Sequence, residues 1–243
     1  SSHAYRGFDT RKFKSKGYNV FNLGSSAQTP LQSELLLNRY LDKLNPKLVV
    51  LEVYPLLFTK DGVESSVDII SNDINDVNSI KLVLEQKNIM VFNTFIYSFF
   101  RDVFVEKKKL IKLPLGKEYK YHKGGYVSRD VSYYKYDKSL ELKCLIFKER
   151  QLKSFDRIIK LLEKKSVNYV LVQAPITKSR FNSIKNNHYF DSIISDRGEY
   201  YNFNELVKLD DSLHFYDSHH LNQVGVDIFN EKFIDLLSQN KIR

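Results

Sequence analysis

The sequence predicts an α/β protein, a three-layer α/β/α sandwich built on a parallel sheet. Two apolar runs rich in β-branched residues, 48–53 and 169–174, have the composition of strands buried on both faces of a sheet. Stretches with apolar residues at helical spacing alternate with these runs, which is typical of βαβ units. The length of 243 residues fits one large domain of this class, and we expect residues 1–243 to form it.

In the first half of the chain, a short strand is expected at 18–23, ending at Gly24. Thr29 then offers a helix N-cap, Pro30 fits the first helical position, and Gln32 completes a capping box. The helix should end before Pro46, and the apolar run 48–53 should be the next strand. Together these elements predict one strand–helix–strand unit.

In the second half, residues 64–105 are expected to be mainly helical, with interruptions between Asn72 and Asn78. Residues 106–138 are rich in lysine and tyrosine and read as a basic insertion. A long helix is expected over 140–162, with Cys144 on its apolar face, then a strand at 169–174 and a last helix over 223–237.

The formal charge of +9 favours three kinds of partner: nucleic acid, an anionic membrane surface or an acidic polysaccharide. The lysines are spread widely, which favours a merely solvated basic surface over any one of these partners. The single cysteine excludes an intrachain disulfide, and no Cys/His cluster suggests zinc, so we predict no metal and no cofactor. The apolar stretch 89–100 is too short to span a bilayer. The chain begins abruptly, which leaves room for an upstream export signal or membrane anchor.

The two ends of the chain carry the parts of a Ser-His-Asp hydrolytic site. Ser2 is the candidate nucleophile, and a serine hydroxyl needs a base beside it to react at neutral pH. His220 is the candidate base, with Asp217 three residues earlier to orient its ring. His219 is the main alternative base. Asp217 and His220 also fit a loop cap and a surface histidine, and only a fold that joins the two ends makes one site of them.

Three motifs together resemble the SGNH (GDSL-type) hydrolase superfamily, in particular its polysaccharide O-acetyl esterase and acetyltransferase branches. Ser1-Ser2 matches the end of the nucleophile turn, 21–24 matches the glycine motif, and 217–222 with Gly225 matches the D-x-x-H motif. The resemblance implies an SGNH-hydrolase or flavodoxin-like fold and an extracytoplasmic protein. It also implies that the backbone N–H groups of Ser2 and Gly24 form the oxyanion hole.

The chain departs from that family in three places. The family has an asparagine that supplies an oxyanion donor, but none follows the strand at 48–53 here. Gln28, or the backbone N–H of Ser25, is therefore the candidate for the remaining oxyanion donor. The family's first strand is not in this sequence, and Ser1 stands where the family usually has aspartate.

Two further residues are candidates for substrate binding. Arg6 follows the nucleophile turn, where it fits an anionic group or a structural salt bridge. Tyr54 follows a strand, where it fits a pocket wall or ordinary packing. The basic insertion fits a lid over an acidic glycan, a nucleic-acid patch, or a solvated surface with packed tyrosines.

The sequence thus predicts a serine esterase or O-acyltransferase acting on acylated carbohydrate. The alternative is a catalytically weak or inactive SGNH-like module that binds carbohydrate or serves in assembly. A nucleic-acid-binding domain is a weaker reading, because no known nucleic-acid motif accompanies the basic segment, and we predict no nucleic-acid partner.

Overall fold

The computed structural model describes residues 1–104, 116, 118–135 and 140–239. A 3-10 turn at Pro55–Thr59 follows the first strand. The helices and strands follow the order α1 (Ser2–Gly7), α2 (Thr10–Ser15), α3 (Pro30–Leu44), β1 (Leu48–Glu52), α4 (Val63–Asn72), α5 (Val77–Gln86), α6 (Ile89–Phe104), β2 (Tyr119–His122), β3 (Tyr126–Arg129), α7 (Glu149–Lys164), β4 (Asn168–Gln173), α8 (Lys178–Asn182), α9 (Asn187–Ser195), β5 (Tyr200–Asn202), α10 (Phe203–Leu206) and α11 (Gln223–Gln239).

Three parallel strands form the main sheet in the order β1-β4-β5. Leu51 of β1 lies opposite Leu171 of β4, and Val172 of β4 lies opposite Tyr201 of β5. The predicted α/β class with a parallel sheet is therefore confirmed. The other two strands, β2 and β3, form an antiparallel hairpin.

Side chains of β4 alternate between two apolar cores, as the two-residue period of a strand requires. Val170 and Val172 pack with Phe229 and Phe233 of α11 in one core. Leu171 packs with residues of α3 and α7 in the other core. Burying each such side chain contributes roughly 1.5–3 kcal/mol. Helices thus contact both faces of the sheet, which is compatible with an α/β/α sandwich.

The best-supported helix prediction is confirmed by α3. Pro30 is its first residue, and the side chains and backbone of Thr29 and Gln32 form the reciprocal capping box. Asn45 ends the helix in the left-handed conformation at a φ of 42°. The predicted strands at 48–53 and 169–174, the interrupted helical region from 64 onward and the last helix are confirmed as well.

Two sequence predictions are wrong. Residues 18–23 form no strand, because their backbone meets the hairpin turn rather than the sheet, through the Asn22 N–H donated to the Gly124 carbonyl at 2.7 Å. The helix predicted from residue 140 begins only at Glu149. Before it, Lys143 runs extended and exchanges backbone hydrogen bonds with Ser183 and Lys185, and Cys144 is exposed.

The described part of the basic insertion is the β2–β3 hairpin, which turns at two glycines with positive φ. Tyr126 is buried in the core shared with α11 and donates its hydroxyl to Gln223 Oε1 at 2.9 Å. Tyr121 and Tyr133 are exposed. The predictions for residues 106–115, 117 and 136–138 lie outside the described residues.

Helices α5 and α6 present a broad apolar surface to solvent. Its members are more than one-third exposed and include Val77, Leu84, Ile89, Met90, Tyr97, Phe99, Phe100 and Phe104. Within the described ranges, no helix combines the length and the apolar character that crossing a bilayer requires.

Candidate active site

The fold brings the two ends of the chain into contact. Ser2 is the first residue of α1, and His220 lies in the loop before α11. Ser2 Oγ lies 2.9 Å from His220 Nε2, although the two residues are 218 positions apart in the sequence. This distance is within the reach that a nucleophile and its general base require.

Asp217 holds the other side of the same imidazole. Its Oδ2 lies 2.8 Å from His220 Nδ1, and its Oδ1 accepts the backbone N–H groups of His219 and His220 at 2.9 and 2.8 Å. A carboxylate is only an acceptor, so Nδ1 carries the proton and Nε2 is free to take one from Ser2. Burial alone would raise the pKa of Asp217, but the hydrogen bond with His220 and the adjacent histidines lower it to about 2.

The nucleophile turn is fixed from several directions. Ser1 caps α1 by accepting the Ala4 N–H at 3.1 Å, and its hydroxyl donates to Glu52 at the end of β1. Burial raises the pKa of Glu52 to about 7. At the other end of α1, Asn230 of α11 donates to the Gly7 carbonyl at 2.6 Å. Helix α1 is therefore joined both to the sheet and to the helix that follows His220.

Further rings surround the His220 imidazole. His3 stacks on His220 with 5.0 Å between ring centroids, and its Nε2 lies 2.8 Å from the His219 carbonyl oxygen. Burial and the neighbouring histidines lower the pKa of His3 well below its ordinary value, and they lower the pKa of His219 to about 4. Both rings are thus neutral at pH 7. His219 Nδ1 faces Ser218 at 3.2 Å, whereas His220 is the ring that contacts Ser2.

The predicted oxyanion donors differ in whether their N–H groups are already hydrogen-bonded. The Ser2 N–H has no hydrogen-bond acceptor among the described residues. The Gly24 N–H instead donates to Asn22 Oδ1 at 2.9 Å. Gln28 Oε1 accepts the N–H and hydroxyl of Ser25, and its Nε2 donates one of its two hydrogens to Ser33, so a role for Gln28 as an oxyanion donor stays a prediction. The Ser25 N–H, the other candidate oxyanion donor, is occupied by its bond to Gln28 Oε1.

Asn22 is a functional candidate that the sequence reasoning missed. Its side chain links the Gly24 N–H to the Ala4 carbonyl, which accepts from Nδ2 at 2.7 Å. The bond from Oδ1 to the N–H two residues on is an Asx-turn, for which asparagine two residues before glycine is a recognisable signal. The backbone of Gly24 lies so close to α1 that a Cβ there would be 2.8 Å from the Ser1 carbonyl oxygen.

The two predicted substrate-binding residues differ in placement. Arg6 is half-buried and donates to the hydroxyls of Tyr5 and Tyr216, and the Tyr216 ring stacks on His220. Tyr54 is 5% exposed and packs against His3 and His219, so its position fits ordinary packing rather than an open pocket wall.

The described side chains offer one grouping that suits a metal ion: ligand atoms of Asp217, His219 and His220 lie within 4.8 Å of one another. Imidazole nitrogens and a carboxylate are the ligands that zinc prefers. However, His220 Nδ1 and Asp217 Oδ2 are hydrogen-bonded to each other, and His220 Nε2 faces Ser2. A bound cation would have to break the contacts that join Asp217, His220 and Ser2.

Comparisons with protein-family models, with curated proteins and with solved structures find no match to this chain. The assignment of a function therefore depends on the residues and their geometry.

Proposed function

We propose that this chain is a serine esterase or O-acyltransferase of the SGNH type that acts on acylated carbohydrate outside the cytoplasm. The observation that carries the proposal is the continuous contact Ser2–His220–Asp217, at 2.9 and 2.8 Å. A parallel sheet with the site at the carboxyl ends of its strands supports the SGNH arrangement, since Glu52 closes β1 and Thr177 follows β4 at that edge. The carbohydrate substrate and the location are proposed on the resemblance of the three motifs.

In the proposed reaction, Ser2 Oγ attacks the acyl carbonyl carbon while His220 Nε2 takes the hydroxyl proton. Asp217 stabilises the imidazolium that forms. The carbon–oxygen bond to the sugar then breaks, and the proton on Nε2 passes to the departing sugar oxygen. Water, or the hydroxyl of a second sugar, attacks the acyl-Ser2 ester in the reverse sense and restores the serine.

Charge on the tetrahedral intermediate requires at least one donor, and the Ser2 N–H is the described group that is free to supply it. A second donor becomes available when Gly24 exchanges its bond with Asn22 for a bond to the oxyanion. Each such donor is worth about 10²–10³ in rate.

The test is labelling with a fluorophosphonate, followed by hydrolysis of an acetylated oligosaccharide. Wild-type protein should label at Ser2 and release acetate, Ser2→Ala should do neither, and Ser26→Ala should match wild type because Ser26 is an exposed loop residue. Activity should persist in a chelator, since no step uses a metal. Acetate release by Ser2→Ala, or labelling elsewhere in the chain, would refute the proposal.

A non-catalytic carbohydrate-binding or assembly module is the second candidate. The occupied Gly24 N–H favours it, because this bond leaves the Ser2 N–H as the free one of the two predicted backbone donors. Saturable sugar binding by a protein that never labels would establish this alternative.

A further inference from the structure

Two arginines beside the candidate site differ from the other arginines in lacking a carboxylate partner. Of the ten arginines in the sequence, Arg243 lies outside the described residues. Seven of the remaining nine form ion pairs with described aspartates or glutamates: Arg11, Arg39, Arg101, Arg129, Arg150, Arg157 and Arg197. Arg6 and Arg180 form none with the described carboxylates.

Arg6 lies one helical turn after Ser2 and is surrounded by tyrosines. Nε donates to Tyr5 Oη at 3.0 Å and Nη1 donates to Tyr216 Oη, while the guanidinium carbon lies 4.9 Å from the ring centroid of Tyr119. Burial raises the pKa of Tyr216 to about 12, so its hydroxyl is neutral at pH 7. These partners orient the guanidinium but supply no countercharge.

Arg180 lies beside Tyr54, close enough to His219 for its charge to act on that ring. Its Nε is buried and has no hydrogen-bond partner in the described part of the chain. Helix α8, which carries it, is fastened to the catalytic loop, because the Thr177 hydroxyl donates to the Ser218 carbonyl at 2.6 Å. An orphaned donor of this kind is costly unless a ligand satisfies it.

Both cations act on the same ring. The charges of Arg180 and Arg6 add to burial and His220 in lowering the pKa of His219, and Tyr216, which holds Arg6, stacks on His220 with its centroid 5.4 Å away. Two guanidinium groups without a described countercharge therefore lie close to the histidines of the candidate site, Arg6 through Tyr216 and Arg180 through Tyr54.

From these contacts we infer that the substrate is an ester of an acidic carbohydrate, whose carboxylates bind Arg6 and Arg180 while the acyl group faces Ser2. The inference rests on the proposed function and specifies its substrate class. Guanidinium groups match carboxylates in planar, two-point contacts, so they select an acidic sugar over a neutral one of equal size. Each hydrogen-bonded charge contributes about tenfold or more to that preference.

Binding can be tested without turnover by isothermal titration of the Ser2→Ala protein. The probes are an oligogalacturonate and a neutral xylo-oligosaccharide of the same length. The expected result is at least a tenfold preference for the acidic probe, reduced about tenfold by Arg6→Gln and by Arg180→Gln and partly kept by the two lysine variants. Arg197→Gln is the matched control, because Arg197 pairs with Asp156 and precedes β5 at the opposite edge of the sheet.

Equal binding of the two probes would overturn the inference, as would an equal loss of preference in Arg197→Gln. Tighter binding of an oligonucleotide of the same charge, weakened by Arg6→Gln, would replace the acidic sugar with nucleic acid. Turnover is measured separately in wild type. If wild type hydrolyses the ester but binds acidic and neutral sugars equally, only the proposed substrate class is refuted. If the protein prefers acidic sugars but hydrolyses no ester, only the proposed esterase function is refuted.

Discussion

Replacing Asp217 with asparagine tests the proposed role of the contact between Asp217 and His220. The neighbours of Asp217 lower its pKa from 3.8 to about 2, which at 1.36 kcal/mol per pH unit sets an upper bound of ~2.4 kcal/mol on the stabilisation of the charged form. The side chain is 38% exposed, so solvent screening reduces the effective value to about 1 kcal/mol, or roughly a fivefold change. Loss of charge alone is therefore a small effect.

The larger effect is on the tautomer. The new amide accepts the two backbone N–H groups through Oδ1 and presents its NH₂ to His220 Nδ1, now 2.8 Å from a carboxylate oxygen. His220 must then carry its proton on Nε2, where it cannot accept the proton of Ser2. We expect fluorophosphonate labelling and ester hydrolysis to fall by about 10³–10⁴, as a reversed tautomer does in other serine hydrolases.

Asp211→Asn is the control for charge and capping, because Asp211 accepts the N–H groups of Lys178 and Ser179 and contacts no histidine. Its labelling rate should remain near that of wild type. An Asp217→Asn protein that is folded by circular dichroism and labels within about threefold of wild type would refute the reasoning.

Three further variants test the surroundings of the site. Gly24→Ala places a Cβ 2.8 Å from the Ser1 carbonyl oxygen, so it should cost about 1–3 kcal/mol in urea unfolding and slow labelling, whereas Gly116→Ala, with nothing closer than 3.5 Å, should do neither. Glu52 has a pKa of about 7 in the folded state against an ordinary 4.5, so the wild-type free energy of unfolding should fall by up to about 3 kcal/mol as pH rises from 4.5 through 7. Glu52→Gln should remove this pH dependence. An unchanged dependence would contradict the raised pKa of Glu52. For His219, a pKa lowered to about 4 means that stability is lost as pH falls from 6.5 through 4, by about 1–2 kcal/mol after screening of a ring that is 35% exposed. His219→Gln should reduce that loss of stability in acid and keep labelling within about tenfold, while His220→Gln should abolish labelling. Labelling that is lost in His219→Gln but kept in His220→Gln would make His219 the base.

Local signals explain which parts of the fold the sequence predicted. The capping box at Thr29 and the β-branched run at 48–53 depend on neighbouring residues alone, and both gave the correct elements. Residues 18–23 have a strand-like composition, but their one described backbone bond to the hairpin is set by Gly124, about a hundred positions later. No local pattern reports such a contact.

The candidate site also contains parts that the sequence predicted and parts that depend on contacts it could not predict. Motif spacing at the two chain ends identified Ser2, His220 and Asp217, whose side chains do meet in the structure. The hydrogen bonds of the predicted oxyanion donors could not be predicted in the same way, because no local pattern indicates that Gln28 bonds Ser25 and Ser33. Arg180 likewise comes close to the histidines through a non-local contact, the bond from Thr177 before α8 to the Ser218 carbonyl.

The contact between Ser2 and His220 also has a consequence for how the protein folds. Closing a chain segment of 218 residues costs roughly 5 kcal/mol of loop entropy, so the pair gains nothing until the sheet and α11 are already in place. A chain in which only local structure has formed would contain most of the helices, but Ser2 and His220 would not yet be in contact. The rate at which a fluorophosphonate labels Ser2 during refolding should therefore follow the last cooperative step, later than the recovery of helical circular dichroism.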